Sequence, residues 1–184
     1  MNIIHQHKTL IVLPPRQATR SIGKFFRDYY GMIDHRGDPS SQHTTHIPKG
    51  TEDYDIVMTV RNPYFRYLSW VSWAHETNQK IDREKLAIDF GGWYNKQNSL
   101  SKRVKYWVRT ESIAKDILEI PFVMVDYKEG KVDPVEIFGV NVYKSTYNKI
   151  WIEDLYEYAP LIYNSCKWVF DKFGYSKNSY TNIK

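Results

Sequence analysis

The sequence predicts an α/β fold built on a central, mainly parallel sheet, and three observations lead there. Two short apolar runs, residues 9–13 and 55–60, have the length of buried strands. Each is followed by a stretch whose apolar residues recur at helical spacing. Polar segments rich in Gly, Pro, Asp and Ser separate these pairs, and no internal repeat or low-complexity tract interrupts the alternation. A chain of 184 residues is long enough for one domain, residues 1–184, with a three-layer core.

Residues 1–8 lack the long apolar core of a signal peptide. Residues 9–13 are the first expected strand, ended by Pro14 and Pro15. A cationic turn of small and hydroxyl residues follows: Arg16, Gln17, Ala18, Thr19, Arg20 and Ser21. Ile22, Phe25, Phe26 and Tyr29 then mark one face of a helix. Strand, short turn and helix is the order in which a chain builds an anion site, because the free N–H groups and positive dipole end of the helix face back at the turn. Thr19 or Ser21 is suited to cap that helix. Arg16 and Arg20 supply guanidinium forks that match oxyanions. The expectation is a seat for phosphate or sulfate; the alternative is an ordinary corner with solvated arginines. It is not a Walker loop, since Gly-x-x-x-x-Gly-Lys-Ser/Thr is absent.

Residues 31–50 have loop chemistry, with Asp38, Pro39, Ser40 and Ser41 followed by Gln42, His43, Thr44, Thr45 and His46. Residues 55–60 read as a buried parallel strand ending at Arg61. Pro63 suits the first turn of the next helix, whose apolar face is Tyr64, Tyr67, Leu68, Val71 and Ala74. A helix over 84–94, interrupted by Gly91 and Gly92, is expected next, then a strand over 104–108. Thr110, Glu111 and Ser112 look like a helix start, with Ile113, Ile117 and Leu118 buried. Residues 122–125 are expected as a strand before a turn at Glu129 and Gly130. Pro160 is expected to open a final helix carrying Leu161, Cys166, Val169, Phe170 and Phe173, stopped by Gly174.

Composition narrows the function classes. Hydrophobic residues at 42% and aromatics at 16% exclude a disordered tail. The net charge of +5 suits an anionic ligand, and no Lys/Arg run is long enough for an arm that tracks a nucleic-acid backbone. Cys166 is the single cysteine, which rules out an internal disulfide and a cysteine zinc cluster; a buried apolar thiol is expected. No stretch approaches the roughly 18 apolar residues of a membrane span. A cytoplasmic protein with no membrane or nucleic-acid partner is the expectation.

Val60, Arg61, Asn62, Pro63, Tyr64, Phe65, Arg66, Tyr67, Leu68 and Ser69 resemble the 3′-phosphate motif of sulfotransferases that use 3′-phosphoadenosine 5′-phosphosulfate (PAPS), apolar-Arg-Asp/Asn-Pro-x-x-Arg-x-x-Ser. Arg61, Asn62, Pro63, Arg66 and Ser69 meet it. The spacing has a physical reason: Arg61 sits at a strand end, where open α/β sheets bind ligands, and Ser69 lies about two helical turns on. By the same resemblance Pro15 to Ser21 is similar to the family's 5′-phosphosulfate loop, commonly Pro-Lys-x-Gly-Gly/Thr-Thr-Ser. Arg16 stands at the lysine, while Ala18 and Thr19 replace the Gly-rich pair. Gln42 to Thr45 resembles the His-x-Thr segment of carbohydrate sulfotransferases. Val108 to Ile113 is similar to an apolar-Arg-x-Glu-x-apolar segment, and Phe170 to Tyr175 to the closing Asp-x-x-Phe-Gly-Tyr.

The resemblance implies a P-loop NTPase-like sulfotransferase architecture. It implies PAPS as co-substrate, adenosine 3′,5′-bisphosphate (PAP) as product, no metal, and a hydroxyl-bearing acceptor, by the nearest echo a carbohydrate. Pro15, Arg16, Gln17, Ala18, Thr19, Arg20 and Ser21 would hold the 5′ end of the nucleotide, and Arg61 and Ser69 the 3′-phosphate. His43 is the first choice of base for the acceptor proton, since an imidazole titrates near neutrality, with His46 second. A His43/His46 metal pair lacks further ligands nearby. Arg16 would stabilise the leaving phosphate, and Glu111 would orient His43, bind acceptor hydroxyls or cap a helix. The rival classes are a small nucleotide kinase, which needs a Walker lysine loop and Mg²⁺, and a non-catalytic module binding RNA or a phosphonucleotide.

Overall fold

The computed structural model describes residues 1–34, 47–139 and 149–182. In chain order the elements are β1 (Asn2–Ile4), a 3-10 turn (His5–His7), β2 (Thr9–Val12), α1 (Thr19–Tyr30), β3 (Ile33–Asp34), β4 (Asp55–Val60), α2 (Pro63–Glu76), α3 (Arg83–Ser101), β5 (Val104–Arg109), a 3-10 turn (Thr110–Ser112), α4 (Ile113–Ile117), α5 (Pro121–Lys128), α6 (Pro134–Gly139), α7 (Lys149–Phe173) and a 3-10 turn (Ser179–Asn182). They group into two compact units, Met1–Val60 with Leu100–Tyr143, and Arg61–Ser99 with Lys144–Lys184.

The first unit holds a five-stranded sheet in the order β3-β1-β2-β4-β5 among the described residues. β2, β4 and β5 run parallel, and β1 is antiparallel to both its neighbours. Both faces are buried, which explains why β2 and β4 read as unbroken apolar runs rather than alternating ones. Ile4, Ile11, Val57 and Val108 face a core shared with Ile22, Phe25, Phe26 and Tyr30 of α1 and with Ile117, Ile120 and Val123. Ile3, Leu10, Val12, Ile56 and Met58 face the other way, into a cluster with Met1 and Leu100.

Several elements differ from the sequence expectation. β1 and β3 were not expected. β1 folds back onto β2 as a hairpin, with Lys8 left-handed at φ 45°, and β3 falls in the stretch read as loop. Residues 122–125 are helical, not a strand: Pro121 opens α5 from an extended Ile120, and Ile120 and Val123 turn inward one helical step apart. A four-residue apolar run fits either periodicity, and the proline decides. On α1 the inward residue is Tyr30, whose ring meets Phe122 at 4.9 Å, while Tyr29 is half exposed.

The second unit packs α2 against α7. Asn62 caps α2 by accepting from the Tyr64 N–H at 3.0 Å, Pro63 fills the first turn, and the expected face of Tyr64, Tyr67, Leu68, Val71 and Ala74 is buried. Tyr64 meets Phe170 and His75 meets Trp151, so the two helices run antiparallel. α3 runs through Gly91 and Gly92 to Ser101 instead of breaking there. Ala87 and Phe90 of α3 are buried, and the Ala87 carbonyl accepts from the Ser165 hydroxyl at 3.0 Å.

Pro160 lies inside α7 and does not open it. Leu155, Ala159, Ile162, Cys166 and Val169 form one buried stripe passing through its position. Pro160 itself is on the exposed side, so packing of the stripe holds the helix through the missing N–H bond. The backbone does bend at Cys166 (φ −116°, ψ 16°). The Cys166 thiol is buried as expected, and burial pushes its pKa up to about 12. Gly174, at φ +68°, ends the helix.

At the end of β5, buried Asp116 accepts from the Arg109 N–H (2.8 Å), from Arg109 Nε (2.8 Å) and Nη2 (2.7 Å), and from the Ser112 hydroxyl (2.9 Å). Burial alone would raise its pKa; the hydrogen bonds from Arg109 and Ser112 outweigh that and hold it below the usual carboxylate value. Asp116→Asn is expected to lower unfolding free energy by about 2 kcal/mol in urea titrations near neutral pH. A depressed pKa gives stability that is fully present above the unfolded value of about 3.9 and is lost as pH falls through the folded one. The gap between wild type and Asp116→Asn should therefore narrow in titrations repeated below about pH 4.

Candidate functional site

Because β2, β4 and β5 are parallel, the turns after β2 and β5 leave the sheet at its carboxyl edge, the edge at which open α/β sheets bind ligands. The turn after β2 is unusual in its backbone. Arg16 (φ 64°) and Ala18 (φ 54°) are both left-handed, on either side of Gln17. Alternation of this kind is how short loops gather main-chain N–H groups into an anion-binding hollow. α1 begins directly after, with no acidic residue in its first turn to offset the positive end of its dipole.

The expected caps are corrected. The residue at the start of α1 is Ala18, and neither Thr19 nor Ser21 caps the helix. The Thr19 hydroxyl instead donates to the Pro14 carbonyl at 2.9 Å and closes the base of the turn. Gln17 is fully buried, and its Oε1 accepts from the Thr59 hydroxyl of β4 at 3.4 Å. Its Nε2 is a buried donor with no hydrogen-bond partner among the described residues, an arrangement folded chains usually avoid. Pro15, Arg16, Ala18 and Ser21 are partly accessible and Arg20 is exposed. The Thr59 contact had one signal in the sequence: a hydroxyl inside an otherwise apolar strand.

The turn after β5 carries the Arg109–Asp116 pair, and Glu111 is exposed in the 3-10 turn between them. His43 and His46 lie outside the described residues. Among the described residues no group of His, Cys, Asp or Glu is placed to hold a metal ion, and no helix is long and apolar enough to cross a membrane.

In the second unit the Arg61 motif divides by role. Asn62 and Pro63 build the start of α2. Arg66 is fully buried, with its guanidinium 5.3 Å from the centre of the Phe90 ring. Arg61 and Ser69 stay partly accessible. The Asn62 amide donates to the Ser179 hydroxyl at 2.9 Å, a partner that nothing in the motif announces.

No protein family, no curated protein and no solved structure matches this chain.

The left-handed turn yields its own prediction. An L-residue with a Cβ costs about 1 kcal/mol or more in the left-handed region, whereas glycine enters it freely. Ala18→Gly should raise unfolding free energy by roughly 0.5–1 kcal/mol in urea titrations, and Ala18→Val should lower it.

Proposed function

We propose that this protein is a sulfotransferase of P-loop-like, three-layer architecture that moves a sulfuryl group from PAPS to a hydroxyl acceptor, with a carbohydrate the favoured class, and releases PAP. One observation carries the reading. β2 and β4 are adjacent parallel strands, so the chain leaves both at the same sheet edge, and each exit leads at once into an arginine-bearing corner and a helix. The left-handed backbone at Arg16 and Ala18, and a Gln17 donor with no partner among the described residues, support an anion as the occupant of the first corner.

In this reading the acceptor oxygen attacks sulfur while the bond from sulfur to the bridging oxygen of the 5′-phosphate breaks. His43 takes the acceptor proton. Arg16 and the N–H groups from Gln17 to Ser21 meet the charge that grows on the leaving phosphate. Pro15 and Thr19 shape that loop, and Arg20 adds long-range positive charge. Arg61 and Ser69 hold the 3′-phosphate, and Glu111 orients the base or the acceptor.

Thermal melts test the nucleotide assignment. A ligand at 100 times its dissociation constant stabilises by about 2.7 kcal/mol. PAP and PAPS should each raise the melting temperature without magnesium, and Arg61→Ala should abolish the rise. Absence of any shift with either nucleotide would refute the assignment; a shift with ATP and Mg²⁺ alone would point to a kinase, and one with a short RNA alone to a nucleic-acid module. In transfer assays Arg16→Ala should cost on the order of 10²–10³ in turnover. His43→Ala should cost about 10²–10⁴ while PAP binding persists.

A further inference from the structure

The segment after α7 is tied to the first turn of α2, both within the second unit. Beyond Gly174 the chain turns back, with the Tyr175 N–H donating to the Phe170 carbonyl at 3.1 Å. The Tyr64 hydroxyl donates to the Lys177 carbonyl at 2.8 Å, and the Asn62 amide donates to the Ser179 hydroxyl at 2.9 Å. The Tyr180 ring stands edge-on to Tyr64 at 5.1 Å and to Tyr156 at 5.4 Å. The segment is braced from within: the Asn178 N–H donates to the Ser176 hydroxyl, and both the N–H and the hydroxyl of Thr181 donate to the Asn178 carbonyl.

These contacts meet at Asn62. Capping a helix uses only the side-chain oxygen of an asparagine. Here the oxygen accepts from Tyr64 and the amide is held by Ser179, so both ends of the side chain are fixed. Arg61 is the preceding residue in the chain, and its backbone direction depends on how Asn62 is seated. Holding a binding group in place before the ligand arrives reduces the ordering cost of binding.

We propose that residues 175–182 form a positioning strap, with Ser179 its principal residue, that presets the Arg61 corner for the 3′-phosphate of the nucleotide. The inference rests on the sulfotransferase reading and deepens it. Ser179 touches no nucleotide; it acts through Asn62. Its influence is confined to the 3′ end of the ligand, because the 5′ end belongs to the Arg16 turn.

Isothermal titration with PAP and with adenosine 5′-phosphosulfate, which lacks the 3′-phosphate, separates the possibilities. Loss of one such hydrogen bond corresponds to about fivefold in affinity. Ser179→Ala should weaken PAP by that factor and leave adenosine 5′-phosphosulfate unchanged, and Ser179→Thr should restore PAP binding. A chain ended at Ser176 should lose about tenfold or more for PAP alone. PAP binding equal to wild type in Ser179→Ala would overturn the strap and leave the nucleotide reading standing. Equal weakening of both ligands with a lower melting temperature would also overturn it, as a purely structural contact. Failure of the wild-type protein to bind either ligand would remove the reading and the strap together.

Discussion

The parallel pairing of β2 with β4 is the constraint on which the rest depends. Leu10 lies opposite Ile56, Ile11 opposite Val57 and Val12 opposite Met58. Because side chains alternate, this register sends Ile11 and Val57 to one core and Leu10, Val12, Ile56 and Met58 to the other. A slip of one residue would exchange the two sets. With both faces buried, two cores enforce the same register, and the register decides where each strand stops. The positions of the Arg16 turn and of the residue before Arg61 therefore follow from hydrophobic packing. The Thr59–Gln17 hydrogen bond adds a polar link at the same edge.

Legibility in the sequence follows from how many residues vote on each element. β4 was legible to the residue because five consecutive buried positions agree and a proline follows. The face of α2 was legible because five residues keep one period over three turns. β1 and β3, three and two residues long, are too short to carry a period, and β3 is placed by its pairing with β1 far back in the chain. The segment over 122–125 was too short to separate periods of two and 3.6. Pro160 misled for another reason: a local penalty of about 3 kcal/mol is outweighed by a packed stripe several turns long.

At the candidate site, residue types were legible but their division of labour was not. Of the five motif positions, Asn62 and Pro63 do what the start of such a helix requires, and Arg66 is enclosed beside Phe90. Arg61 and Ser69 are the motif positions that keep partial exposure. Asp116 and Ser179 were missed because nothing near them in sequence marks them. Asp116 matters through a strand end seven residues back and Ser179 through a helix cap 117 residues back.

Backbone strain at the Arg16 turn gives the strongest independent reason to place function there. Two non-glycine residues within three positions adopt a conformation that suits glycine. Strain of about 1 kcal/mol each persists only where surrounding structure holds it, and such places cluster at binding sites. Here the holding structure is visible: Thr19 clasps Pro14, and Gln17 is buried against Thr59. The sulfotransferase resemblance puts glycine where Ala18 stands, and the chain keeps the glycine-like backbone although the glycine is absent. The turn's shape is thus maintained against the local preference of its own residues. One left-handed residue needs no ligand, since Lys8 adopts that backbone in the β1–β2 turn; it is the pair at Arg16 and Ala18 around the buried Gln17 side chain that favours the anion seat over the ordinary corner.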